Sequence, residues 1–441
     1  MDNQAADIRE KVRQQFETGP YPRTPLEKSP KNDYDFLFIH NLVTPYYLRN
    51  QKVKEPEGKL ILDAGCGSGY KTLVLAEANP KAKIIGIDFS AESVKLARQR
   101  LEYHGYENAE FHTLSIEDLP SLGMEFDYIN NDEVLYLLPD PAAGLRAMKS
   151  VLKPDGIIRT NLHSALQRAN YYQVQELFKM MNLMEQAPGP MEIELARETI
   201  KALKDQTFLK ATVWKPEFDT DDERVLANYL LQGDKGFTIP EMFAALKAAD
   251  LEFVSMVHWW KWDLMDLFKQ PDNLPAFLAI SLPNLSTEER LRMFELLQPV
   301  YRLFDFWCAH PNAAQSFVPV GEWTASDWQE VRVYLHPQLR TPQVKEYLID
   351  SIQNQQPWQV NRYLTTATQG PFFVDSSIAA CLLPLWQEGQ PIQALVQRWL
   401  GIRSVDPVTL EPVSQQTAFE QVKEFLKTLE AFLYVLLERS A

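Results

Sequence analysis

Between Lys59 and about residue 163, short apolar runs alternate with amphipathic stretches. The runs KLILDAG (59–65), KIIGID (83–88), AEFHTL (109–114), FDYINN (126–131) and GIIRTNL (156–162) read as buried parallel strands. Between them, GYKTLVLAEA (69–78), SAESVKLARQRLEYHG (90–105) and PAAGLRAMKSVLKPDG (141–156) read as helices. Ser90 stands where an N-cap belongs and Gly105 where the second helix should stop. Strand–helix alternation of this kind predicts an open α/β sheet with right-handed crossovers.

The flanks read differently. Residues 5–16 have a mixed-charge helical pattern, with Ile8, Val12 and Phe16 four residues apart on one face. TGPYPRTPLEKSP (18–30) follows, where four prolines and a glycine forbid regular structure. An aromatic-rich segment to Leu48 and a polar linker ending at Gly58 complete the approach to the first strand. Residues 165–235 are helical and irregular, and TIPEMFAALKAADLEFVSMVHW (238–259) returns to a helix and a strand that rejoins the sheet. From 265 onward the pattern is that of amphipathic helices: 286–307, 341–355, 379–400 and 417–439. The expected organisation is an N-terminal helical and proline-rich lid over 1–58, an α/β domain over 59–264 with a helical insertion at about 165–235, and a mainly helical accessory domain over 265–441.

Composition narrows the classes. A hydrophobic fraction of 45% and a charged fraction of 23% are those of a soluble globular protein. The net charge of −15 argues against a nucleic-acid partner, because polyanion binding needs a basic stripe. Nine Lys/Arg balance nine Asp/Glu in the first 58 residues, so no basic arm hides there. Cys66, Cys308 and Cys381 are sparse and far apart, which fits a reducing cytoplasm and offers no metal site. No apolar leader or run of 18 apolar residues appears, so a cytoplasmic protein without membrane spans is expected.

The chemistry concentrates after the first strand. Gly65, Gly67 and Gly69 alternate in the turn, each removing a Cβ so that a ligand can approach the backbone. A dinucleotide loop, G-x-G-x-x-G, would need glycine at position 70, where Tyr70 stands; a triphosphate loop fails on the same residue. Asp63 two residues upstream gives D-x-G-x-G-x-G, with Cys66 inside the turn, and a carboxylate there suits a cationic ligand better than a phosphate. Asp88, nineteen residues after Gly69, ends the second strand where such sheets place an acid for ribose hydroxyls; it stands equally where it could help cap the next helix. Phe89 fits either an adenine contact or plain core.

Through LDAGCGSG, GIDFSAESVKLAR, SIEDLP, FDYI and VLKPDG, residues 59–163 resemble the class I (Rossmann-like) S-adenosylmethionine-dependent methyltransferases. The resemblance implies a doubly wound, mostly parallel sheet with helices on both faces, S-adenosylmethionine as cofactor, and methyl transfer to an acceptor, either a small molecule or a protein. It also implies an adenine contact by an acid followed by a backbone N–H in the loop after the third strand. Those positions are Ser115 and Ile116 here, so the acid is replaced by a weaker hydroxyl. Asn131 is the candidate for the methionine end, with strand-end hydrogen bonding as the other reading. The C-terminal half more weakly resembles multidomain bacterial protein methyltransferases, through AACLLPLWQEGQPIQALVQRWL (379–400).

On the acceptor side, His163 after the fifth strand is the best-placed general base, or an ordinary hydrogen-bonded histidine. Tyr21 and Arg23 in GPYPRTP are candidates for a lid over substrate or cofactor, and Tyr171 for a pocket wall. Trp259, Trp260 and Trp262 are either an aromatic cage or buried packing. The competing function is an inactive, methyltransferase-like binding protein acting through its helical half; a third reading, a different nucleotide-binding enzyme, has the loop spacing against it.

Overall fold

The computed structural model describes residues 2–365, 370–406 and 408–439. Seven strands form one sheet in the order β3-β2-β1-β4-β5-β7-β6. Here β1 is Leu60–Ala64, β2 Lys83–Asp88, β3 Ala109–Thr113, β4 Phe126–Asn131, β5 Leu152–His163, β6 Glu252–Met256 and β7 Leu303–Ala309. Strands β1 to β5 run parallel, while β7 lies antiparallel between β5 and β6. The strand order reverses between β1 and β4, and an open sheet binds ligands at the carboxyl ends beside such a switch point. Helix Ala91–Tyr103 starts on Ser90, whose hydroxyl accepts from the Ser93 N–H, as its N-cap position predicts. One face of the sheet is closed by a core of Leu62, Ile85, Ile129, Ile158 and Phe306 with Leu145 and Met242 from helices Pro141–Ser150 and Ile239–Ala248. The sheet is the Rossmann-like one that the strand pattern predicts.

The insertion is helical and has a core of its own, built around Val174, Phe178, Ile193, Ile200 and Tyr229. Its two ends are stitched together: Phe237 N–H donates to the His163 carbonyl at 2.8 Å, and Ala165 N–H to the Phe237 carbonyl at 2.8 Å. The chain therefore leaves and re-enters the fold at one point, beside His163.

Two readings from the sequence are corrected. The expected helix over 286–307 ends at Leu297, and Leu303–Ala309 is strand β7. Pro299 cannot continue a helix, and Phe304, Phe306 and Cys308 alternate into the sheet core, a period of two. Likewise the helix expected over 417–439 ends at Glu430, and Val435–Arg439 pairs antiparallel with Val331–Leu335.

The chain divides into two compact units, and they cut across the boundaries expected at 58 and 265. The first joins residues 1–28 to 58–76 and 82–313, so 265–313 stays with the sheet because β7 does. The second joins 29–57 and 77–81 to 314–441. Inside this mainly helical unit, helices Tyr34–His40 and Val43–Asn50 pack with the C-terminal segment. The Tyr47 hydroxyl lies 3.0 Å from the Leu437 N–H and 2.9 Å from the Glu430 carboxylate, and Thr44 Oγ1 lies 3.0 Å from His336 Nε2. Among the described residues no helix is long and apolar enough to cross a membrane.

Candidate cofactor and acceptor site

Strand β1 delivers the glycine loop to the carboxyl edge of the sheet. Gly65, Gly67 and Gly69 have φ of +88°, +50° and +84°, a conformation that side chains disfavour. The Gly65 and Cys66 N–H groups both reach the Ile87 carbonyl at 2.8 Å, which ties the loop to β2. A Cβ on Gly67 would overlap the Tyr21 carbonyl, and one on Gly69 would come within 2.5 Å of Ala97 Cα. Two glycines thus serve internal close approach: one to the segment 19–26, the other to the helix after β2.

Asp88 is buried at the end of β2. One carboxylate oxygen accepts from Gly67 N–H at 3.0 Å, the other from Ser90 N–H at 2.9 Å. Burial pushes its pKa up to about 6, against the pull of those two bonds. A carboxylate offers about four lone-pair sites, so two remain for ligand hydroxyls. The bond to Ser90 N–H is the helix-start contact weighed from the sequence. Nearby, Glu17 Oε2 is enclosed without a hydrogen-bond partner among the described residues, and its charge adds to the upward shift of Asp88.

Phe89 is half-buried with its ring 6.4 Å from Phe16 of the N-terminal helix Asp2–Thr18. Ser115 opens the turn after β3; its hydroxyl binds the Glu117 carboxylate at 2.7 Å and receives Arg9 from the N-terminal helix at 3.0 Å. Ile116 follows, buried. Phe89, Ser115 and Ile116 thus share the side of the loop covered by that helix. The Cys66 thiol is buried in the loop, and desolvation pushes its pKa up.

Asp63 and Asn131 lie deeper than their readings as ligand contacts required. Asp63 is fully buried and binds Thr72 Oγ1 at 2.6 Å and Asn130 Nδ2 at 2.9 Å, with burial raising its pKa to about 6. Asn131 donates to the Ala64 carbonyl at 2.7 Å and accepts from Thr160 at 2.9 Å. Its side chain does the strand-end hydrogen bonding weighed from the sequence. Both residues fix the shape of the loop from beneath.

Tyr21 and Arg23 belong to a strap fastened over the glycine loop. Ser68 N–H and Oγ donate to the Tyr21 and Pro22 carbonyls, and Arg100 donates to those of Thr24 and Pro25. Beside the strap is a cavity of about 600 Å³, within the size range of small-molecule sites. Tyr21, Arg23, Tyr136, His163, Tyr171 and Arg302 contribute to its lining. Tyr171 stacks on Tyr229 at 6.1 Å, so it both walls the cavity and belongs to the insertion core. Of the three tryptophans, Trp262 packs on Phe294, Tyr301 and Phe304, while Trp259 and Trp260 meet edge to face at 4.4 Å.

His163 is held on three sides. Asp234 accepts at 2.7 Å from Nδ1, the Tyr136 ring stacks at 3.7 Å, and Arg302 Nη1 stands 3.0 Å from Nε2. With a proton on Nδ1 facing the carboxylate, Nε2 is the lone pair that faces Arg302. Burial and the two guanidiniums of Arg168 and Arg302 lower the His163 pKa to about 4, so the ring is neutral. Asp234 is itself anchored by Arg168 at 2.8 Å and Gln175 at 2.9 Å. Sequence reasoning missed Asp234, Arg302, Glu133 and Tyr136. Glu133 follows β4 with φ of +61°, its N–H held by Asn161 and its carboxylate by Arg302 at 2.5 Å. The one available signal was position: Glu133 and Tyr136 lie just after β4, where the lip of the site begins.

Residues 56–221 match the family model for a methyltransferase domain. The chain carries a class I methyltransferase domain. The cofactor of this methyltransferase domain is S-adenosylmethionine, and the fit is chemical: the spare lone pairs of Asp88 and the enclosed oxygen of Glu17 suit a nucleoside without phosphates. A protein of Synechococcus sp. described as uncharacterized is 27% identical over 316 residues, covering 71% of this chain and 73% of its own. Ubiquinone biosynthesis O-methyltransferase of Actinobacillus pleuropneumoniae is 34% identical over 134 residues, covering 29% of this chain and 56% of the relative. The methyltransferase domain thus spans about half the length of that curated relative. In fold, the chain is similar to PKMT2 from Rickettsia typhi, solved in complex with AdoHcy: TM-score 0.59, 18% identity, 96% of this chain and 78% of that one. Among the described residues no cluster of His, Cys, Asp or Glu could hold a metal ion.

Proposed function

We propose that the protein transfers a methyl group from S-adenosylmethionine to an acceptor bound in the cavity beside the strap. The observation that carries this reading is Asp88: a buried carboxylate tied to Gly67 and Ser90 with acceptor capacity left over. In this reading Asp88 takes the ribose hydroxyls, beside the loop of Gly65, Cys66, Gly67 and Gly69. Phe89 flanks the adenine, with Ser115 and the Ile116 backbone at its edge. Asp63 and Asn131 hold the loop rather than the ligand. Tyr21, Arg23 and Tyr171 wall the acceptor.

The cofactor supplies a sulfonium-bound methyl; the chain's residues align the acceptor in line with it, where orientation does much of the catalysis. His163 takes the acceptor proton through Nε2, and Asp234 stabilises the imidazolium that forms. The acceptor is a small molecule or a protein side chain. The buried cysteines and the absence of a spanning helix among the described residues support a cytoplasmic location as part of this proposal. An inactive binding protein has no support in the loop, where Asp88 and all three glycines are retained.

Calorimetric titration with S-adenosylmethionine tests the reading, followed by transfer of labelled methyl from the cofactor to a cell extract. Binding in the micromolar range with label entering a product is expected. A folded protein that does not bind the cofactor at millimolar concentration would overturn it.

A further inference from the structure

The geometry points to an acceptor that carries a negative charge beside the hydroxyl it presents for methylation, with Arg302 as the side chain that reads this charge. The inference rests on the methyltransferase reading above and deepens it.

Arg302 bridges two acceptors on the cavity wall: Nη2 meets the Glu133 carboxylate at 2.5 Å, and Nη1 meets His163 Nε2 at 3.0 Å. As long as Nη1 donates to Nε2, that lone pair cannot take a proton. The two partners differ in freedom. The His163 side chain is 1% exposed, clamped by Asp234 and Tyr136, whereas the Arg302 side chain is 41% exposed. The guanidinium is therefore the member that can move. Nη1 loses little by exchanging a neutral imidazole for an anionic oxygen, because hydrogen bonds to ionised acceptors are the stronger ones. Nη2 can keep Glu133 throughout.

Other charges on the lining are already paired: Arg168 with Asp234, and Arg224 with Asp221 and Glu217. Arg302 differs in sharing its donors between a carboxylate and a neutral ring.

A hydroxy acid, or a hydroxyl-bearing phosphate, thus frees the base that acts on it. Its anionic oxygen draws Arg302 off Nε2, which also removes one of the charges that depress the His163 pKa. The hydroxyl proton then passes to Nε2 while the oxygen lone pair forms the bond to the methyl carbon. The electron pair of the broken carbon–sulfur bond stays on sulfur, which becomes a neutral thioether.

Three probes that carry a phenol hydroxyl beside a group of differing charge test this: 2-hydroxybenzoate, 2-hydroxybenzamide and 2-hydroxybenzylamine, each titrated into the full chain loaded with S-adenosylhomocysteine. The acid is expected to bind at least about tenfold more tightly than the amide and the amine, a difference of about 1.4 kcal/mol. Arg302→Met should abolish that preference, and Arg302→Lys should keep part of it, both with S-adenosylhomocysteine affinity unchanged. The Nε2 nitrogen resonance of His163, assigned with His163→Gln, should shift on binding the acid and not the amide. An amide or amine that binds as well as the acid, no binding of any probe, or a preference that survives in Arg302→Met would overturn the inference. Failure to bind S-adenosylhomocysteine would overturn the methyltransferase reading itself, and this inference with it.

Discussion

Asp88 meets two backbone N–H groups before any ligand arrives, and a ribose would complete its shell. Asp88→Ala should therefore weaken S-adenosylmethionine binding by about 10- to 100-fold, since a charged hydrogen-bonding group contributes roughly 1.5–3 kcal/mol. Calorimetry checks this, and an unchanged affinity removes Asp88 from the site. His163 allows a separate test through pH. Its pKa falls from 6.5 to about 4 on folding, so between these values the unfolded chain binds a proton that the folded chain refuses. Stability from this residue is then present above pH 6.5 and lost as pH falls toward 4. Asp63 and Asp88, raised to about 6, act in the opposite sense: the folded state holds their protons, and stability declines as pH rises from 3.8 to 6. Comparison with His163→Gln isolates the histidine. In urea unfolding, the stability of the natural protein relative to that variant should rise by roughly 2–4 kcal/mol from pH 4 to 6.5. A flat difference would place His163 in a more solvated setting.

At the scale of elements, the loop and the strap form one device. Gly67 has no room for a Cβ because the Tyr21 carbonyl occupies it, and the Ser68 N–H binds that same carbonyl at 2.9 Å. Gly67→Ala should displace the strap as well as strain the loop at φ +50°. The expected result is at least tenfold weaker cofactor binding and faster amide exchange over residues 19–26, read by mass spectrometry. Protection that stays as in the natural protein would show that the strap does not depend on this contact. The glycines and Asp88 were legible in the sequence because a ligand site of this kind needs them at fixed spacing. The strap was legible as a proline-rich segment suited to a lid; that its carbonyls are fastened to Ser68 and Arg100 is a tertiary fact. Strand β7 was hidden for a related reason: its apolar residues continue the texture of the preceding helix, and only pairing with β5 fixes them as a strand.

At the scale of the molecule, the second unit takes residues 29–57 from near the N-terminus and 314–441 from the C-terminus. Buried Phe38, Tyr46 and Tyr47 belong to this unit. A chain cut to 1–313 would keep them without the segment that carries Leu437 and Glu430. It should aggregate or run as an expanded species on size exclusion, with a lowered thermal midpoint. A compact, monomeric 1–313 with the natural midpoint would show that residues 29–57 need nothing from the C-terminal segment.

By itself the sequence determined the α/β sheet, the glycine loop and the methyl donor, and it singled out Asp88 for the ribose in the proposed function, because each rests on local spacing along the chain. It also marked His163, but not what holds it. Asp234 lies 71 residues further on and Arg302 lies 139 further on. Only the return of the helical insertion beside His163, and the antiparallel insertion of β7 next to β5, bring these charges to one ring. Their separation in the chain carries no periodic signal, so the surroundings of His163 were decided by tertiary structure alone.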